Sequence, residues 1–130
     1  MILHLQIVGS LMVLLALIHI RFPNYFKWKE EFRTVSLLNR QMMYIHTLFL
    51  AVVLLLMGVL CVSSAEALIS TPLGNRICVG LGLFWLLRLI IQFWGYSSLL
   101  WRGKSFETTV HVIFSLLWTY FTIVCFAAAL

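Results

Sequence analysis

The chain has 130 residues, enough for one domain, yet 63% are hydrophobic and only 10% charged, against roughly 25% charged in an ordinary soluble protein. A water-soluble fold of this size cannot hide so much apolar surface, so composition excludes that class and makes the lipid bilayer the expected solvent and partner. Nine Lys and Arg against four acidic residues give a formal net charge of +5, but the basic residues cluster between apolar spans, which favours membrane orientation over nucleic acid as their role.

Four apolar stretches of about 20 residues stand out, each able at ~1.5 Å per residue to cross a hydrocarbon core of about 30 Å. They run over Ile2–Ile20, Gln41–Val62, Ile77–Ser97 and Thr109–Leu130. Backbone groups in lipid must pair within their own segment, so each is predicted as a helix. The expected fold is all-α, a polytopic integral membrane protein with a single four-transmembrane-helix bundle. The first span has no basic segment ahead of it and exceeds a usual signal core, so it reads as a retained helix.

The connection after it, "RFPNYFKWKEEFRTVSLLNR", holds Arg21, Lys27, Lys29, Arg33 and Arg40. Phe26, Trp28 and Phe32 alternate there with charges, a pattern that suits a short amphipathic helix in the headgroup layer and equally a solvated linker. The second span contains no charge over "MMYIHTLFLAVVLLLMGVLCV". Pro72 and Gly74 break the connection that follows, which carries only Arg76 with Glu66. After the third span come Arg102, a turn at Gly103, and Lys104. Seven basic residues in the first and third connections against one in the second place those two connections in the cytoplasm. Both termini are then expected on the non-cytoplasmic side, of the cell inner membrane if the source is bacterial. Trp28, Tyr44, Trp94, Tyr96 and Trp101 fall near the inner interface, where amphipathic rings anchor.

Polar residues inside the spans carry the functional expectation. Arg88 lies in "LFWLLRLIIQFWGY", roughly 15 Å deep by helical rise, with Gln92 one turn above it on the same face. An Arg at mid-span costs about 2.5–3.5 kcal/mol on insertion scales, so it is expected to face the interior of the helices or a wet cavity. The chain has no Asp, and its Glu residues, at 30, 31, 66 and 107, lie in or beside connections. Glu107 is the nearest intramolecular counter-ion, with backbone carbonyls, helix-four hydroxyls, another subunit or an anionic ligand as alternatives. On the fourth span His111, Ser115, Thr119 or Trp118, Thr122 and Cys125 recur at helical spacing.

His19, His46 and His111 approach the inner interface at similar depth on three different helices, while His4 is alone at the outer end. Imidazoles converging between helices are the usual ligands of transition metals and of haem iron, and an Arg nearby can pair a haem propionate. The candidate set is therefore His19, His46 and His111 for a metal ion or haem b, with Arg88 and Gln92 as the cofactor-binding pair. No HxxxH or ExxH pair and no inward Glu supports a carboxylate di-iron site. Cys61, Cys78 and Cys125 have no metal spacing and read as small packing residues, as do Gly9, Ser10, Gly80 and Gly82 at helix contacts.

"RLIIQFWGY", the basic entry "NRQMMYIH", the chain length and the four-span layout resemble the membrane-associated eicosanoid and glutathione metabolism family. The resemblance implies a trimer that binds glutathione at the cytoplasmic side, with Arg40 and Arg88 contacting the anionic thiol peptide. The Asn and Glu of that family's second helix are replaced here by apolar residues and His46. Three further functions fit the residues. One is a haem or metal protein for electron transfer or sensing. Another is a small anion or metabolite carrier or channel acting as a homo-oligomer or with a partner membrane subunit. The last is an accessory assembly subunit. No catalytic triad spacing is present to favour a nucleophilic enzyme.

Overall fold

A computed structural model describes residues 1–25, 28–31, 33–94 and 105–130, with the backbone alone for 22–25, 31 and 107. Expectations resting on Phe26, Lys27, Phe32, Tyr96, Trp101, Arg102, Gly103 and Lys104, and on the Glu107 side chain, lie outside the described residues. The described residues contain helices and no strand: α1 (Ile2–Tyr25), α2 (Trp28–Glu31), α3 (Leu37–Ser63), α4 (Ala65–Ser70), α5 (Pro72–Trp94) and α6 (Ser105–Ala129). Four of them, α1, α3, α5 and α6, are long and apolar enough to cross a membrane. The protein is thus all-helical, with the composition of a multi-pass membrane protein.

Helix ends differ from the apolar runs because caps, not hydrophobicity, set them. Ser36 caps α3, its hydroxyl accepting from the Asn39 N–H at 3.3 Å, so the helix starts four residues ahead of the apolar stretch. Thr71 does the same for α5: its hydroxyl accepts from the Gly74 N–H at 2.9 Å, and Pro72 takes the first helical position, where a missing N–H costs nothing. Pro72 and Gly74, read as breakers, therefore open a helix. At its lower end α3 stops at Ser64, whose N–H returns to the Leu60 carbonyl at 2.9 Å.

The chain divides into two compact units, residues 1–5 with 66–130 and residues 6–65. In the second, α1 and α3 meet at a pair of glycines. A Cβ on Gly9 would sit 2.6 Å from the Gly58 carbonyl oxygen, and one on Gly58 2.6 Å from that of Gly9, so the two backbones touch directly. The expectation for Gly9 holds, while Gly58 was not singled out. Also in this unit, Trp28 is buried and packs edge-on against Tyr44 at 5.4 Å between ring centroids, which draws the short α2 to the foot of α3.

In the first unit α5 packs along α6. The buried stripe of α5 is Gly74, Cys78, Leu81, Gly82, Trp85 and Gln92, and α6 answers with Trp118, Phe121, Thr122, Val124, Cys125 and Ala128. Gly82 admits the Phe126 ring, which a Cβ would meet at 2.9 Å. Among the described residues nothing lies within 4 Å of a Cβ on Gly80, so it takes no part there in the packing expected of it. Gly74 lets α4 fold back over the start of α5: a Cβ there would overlap the Ala67 carbonyl oxygen and lie 2.5 Å from Leu68 Cα.

Candidate functional site

Positions 85, 88 and 92 of α5 follow one another at three and four residues, which stacks their side chains along one face. On α6 the same spacing aligns His111, Phe114 or Ser115, and Trp118. The α5–α6 packing brings these two rows into a connected polar and aromatic cluster.

Gln92 is its hub. It is buried, at 6% exposure. Arg88 Nη1 donates to its Oε1 at 3.3 Å, Trp118 Nε1 donates to the same oxygen at 3.4 Å, and its Nε2 lies 2.9 Å from His111 Nδ1. Two donors on one side fix the amide oxygen there, so the amide NH2 points at His111. His111 Nδ1 must then accept, which puts the ring proton of the neutral imidazole on Nε2.

Arg88 is half-buried, its guanidinium carbon 5.1 Å from the centre of the Trp118 ring. A cation held over an indole gains about 0.5–2 kcal/mol and a charge-assisted hydrogen bond about 1.5–3 kcal/mol, enough together to offset much of the insertion cost of a mid-span Arg. Trp118 is in turn held by aromatic neighbours, stacked on Trp85 at 5.1 Å and 11° and on Phe114 at 5.5 Å and 16°. Phe93 packs edge-on against His111 at 5.6 Å. The hydroxyls of Ser115, Thr119 and Thr122 donate to the carbonyls of His111, Ser115 and Trp118 in their own helix, at 2.7–2.8 Å.

The pairing of Arg88 with Gln92 follows the sequence expectation, and His111 joins them through the amide. Trp118 entered the sequence reading only as an alternative to Thr119, and Trp85 not at all. Their heptad relation to His111 and Gln92 was the available signal. Trp85 is 2% exposed, and its indole Nε1 has no hydrogen-bond partner among the described residues.

The other two candidate ligands belong to the other unit. His19 is half-buried, and its Nδ1 donates to the Leu15 carbonyl one turn back at 2.7 Å. His46 is exposed on α3. Among the described residues no three His, Cys, Asp or Glu side chains come together to hold a metal ion. His4 pairs with Tyr120 at 2.9 Å, away from the Gln92 hub.

No protein-family model matches the chain, and neither a curated protein nor a solved structure is similar to it. Its functional reading rests on these side chains.

Proposed function

We propose that the protein binds a small organic anion within the bilayer, as the recognition element of a carrier, and that Arg88 is the charge that recognises it. The supporting observation is that the groups orienting Arg88 include a carboxamide oxygen at 3.3 Å and an indole ring at 5.1 Å. These contacts orient the guanidinium, whose forked N–H donors match a carboxylate or sulfonate, at a depth where competing water is scarce.

Four helices are too few to enclose a water-filled path, so this reading includes association with further copies or with a partner membrane subunit. The excess of Lys and Arg in the first and third connections supports an orientation with both termini outside, in an inner membrane if the source is bacterial.

A haem or metal centre asks more of the same residues. A ligating imidazole donates its second N–H to a neighbour and coordinates through the other nitrogen. His19 has that tautomer, with Nδ1–H directed at the Leu15 carbonyl. His111 has the opposite one, with Nδ1 accepting from Gln92. Using His111 as a ligand would turn the amide round and remove the acceptor shared by Arg88 and Trp118. The donor set therefore favours an anion. A Soret band or stoichiometric metal in purified, folded protein would replace this reading with the haem or metal one.

The direct test is binding of hexanesulfonate to the protein in phosphatidylcholine nanodiscs. Arg88→Leu is expected to weaken binding by roughly 10-fold to 150-fold, the equivalent of a lost charge-assisted hydrogen bond, and Arg88→Lys to retain part of it. Equal affinity in wild type and Arg88→Leu, with both folded, would reject the assignment.

A further inference from the structure

A band of charge and aromatic rings lies at one end of the unit formed by residues 6–65. The segment from Arg21 to Arg40 holds five basic residues against Glu30 and Glu31, whereas Arg76 and Glu66 cancel in the connection between the second and third spans. Arg21, Lys29 and Arg33 are exposed, and Arg40 is half-buried. Packing sets their depth. A Cβ on Gly9 would meet Cys61 and Val62, and one on Gly58 would meet Val13, so α1 and α3 run antiparallel. From that crossing the helical rise carries Arg21 about 18 Å along α1, and Tyr44 and Arg40 about 21 and about 27 Å along α3. Trp28 joins them at the level of Tyr44, with 5.4 Å between ring centroids, and brings Lys29 with it. The chain then turns, the Arg33 N–H donating to the Glu30 carbonyl at 3.3 Å, and enters α3 at the Ser36 cap. Arg33 therefore sits in a short turn tied down on both sides. The band spans about 9 Å of depth, close to the thickness of about 5–8 Å of one headgroup layer, and it contains the kind of ring pair that such a layer favours.

The same end of α3 offers a second kind of surface. Its 27 residues rise about 40 Å against a hydrocarbon core of about 30 Å, so its first turns reach the headgroups. Just inward of Arg40, the side chains of Met43, Ile45 and Phe49 are exposed. Charge and apolar surface thus adjoin on one helix.

The geometry points to a docking surface for anionic phospholipids: Arg21, Lys29, Arg33 and Arg40 pair with the headgroup phosphates, and the acyl chains lie along the exposed apolar residues of α3. A soluble phosphate or an acidic protein segment answers only the charges, and a zwitterionic lipid brings no net charge to meet them. An anionic lipid answers both surfaces, and guanidinium forks match its phosphate oxygens. The inference is independent of the anion reading at Arg88, a residue of the other unit.

Electron spin resonance of spin-labelled phosphatidylglycerol and phosphatidylcholine, each added to the full chain in phosphatidylcholine bilayers, gives the ratio of their association constants. The wild type is expected to prefer phosphatidylglycerol at low salt, by up to roughly fivefold for each basic residue that meets a phosphate. The preference should shrink toward one near 1 M salt, where the screening length is about 3 Å. Lys29→Gln combined with Arg33→Gln changes two exposed positions outside the long helices and is expected to lose much of the preference, while Arg76→Gln, exposed in the other unit, keeps it. Should the double variant fail to fold, Arg21→Gln and Arg40→Gln taken singly decide, each expected to lose part. Equal association of the two lipids with the wild type at low salt overturns the docking surface and leaves these charges to an acidic partner protein or to insertion alone. A preference undiminished by every substitution among the four overturns it as well, and a preference that instead disappears in Arg88→Leu moves the lipid to the site proposed above.

Discussion

Two tryptophans in stacking contact have opposite hydrogen-bonding situations. Trp118 donates to Gln92 and lies beside the Arg88 guanidinium, whereas Trp85 is more deeply buried with an indole N–H that meets no acceptor among the described residues. Replacement by Phe removes the indole N–H in both cases while retaining an aromatic ring. At 118 it deletes a hydrogen bond and the better cation-binding ring, with an expected loss of about 1–3 kcal/mol. At 85 the change discards a donor whose desolvation was not compensated, which offsets part of the lost packing, and the expected loss is about 1 kcal/mol or less. Reversible unfolding in mixed micelles should rank Trp118→Phe as the more damaging of the two. An equal or larger loss at 85 would mean that its N–H is satisfied. Of this cluster the sequence made legible what lies within a helix: Arg88 and Gln92 share a face because they are four residues apart. What lies between helices was not legible, since heptad spacing nominates Trp118 but says nothing of which neighbour it meets.

At the scale of the element, the four long helices were legible because 20-residue apolar runs in lipid have no other way to pair their backbone. Their ends were not. A hydrophobic run ends at the first polar residue, while the helix continues to wherever its last turn is capped, so Ser36 and Thr71 moved two starts outward past residues that had looked like connection. The glycines show the same division between pattern and contact. Gly9, Gly58 and Gly80 are indistinguishable in composition, yet a methyl group meets backbone 2.6 Å away at the first two and nothing at the third. Gly58→Ala should force α1 and α3 apart at the cost of an overpacked contact, about 1–3 kcal/mol, and lower the melting temperature in detergent. Gly80→Ala should leave it unchanged or raise it slightly, because Ala is the better helix former by roughly 1 kcal/mol. If both substitutions behave alike, the backbone contact at Gly9 and Gly58 is not what holds that pair.

For the whole molecule the direction of insertion decides toward which compartment the Arg88, Gln92 and His111 cluster lies. Hydrophobicity is symmetric along a span and carries no direction. Charge does, because Lys and Arg in short connections resist translocation. Five basic residues sit between the first and second spans, two between the third and fourth, and one between the second and third. Since α5 carries Arg88 six residues before Trp94 and α6 carries His111 six residues after Ser105, the cluster lies toward the ends of these helices that join the third connection. With that connection in the cytoplasm, as the charge bias predicts, the cluster lies toward the cytoplasmic leaflet. An alkaline phosphatase fused after Leu130 should therefore be active, and a fluorescent protein fused there dark. Changing Arg21, Lys27, Lys29, Arg33 and Arg40 together to Gln should give a mixed population, because the remaining bias of two against one is weak. Replacing Arg102 and Lys104 alone should not, because five still oppose one. A fluorescent C-terminal fusion in the unaltered chain would invert the assignment and place the cluster toward the opposite compartment.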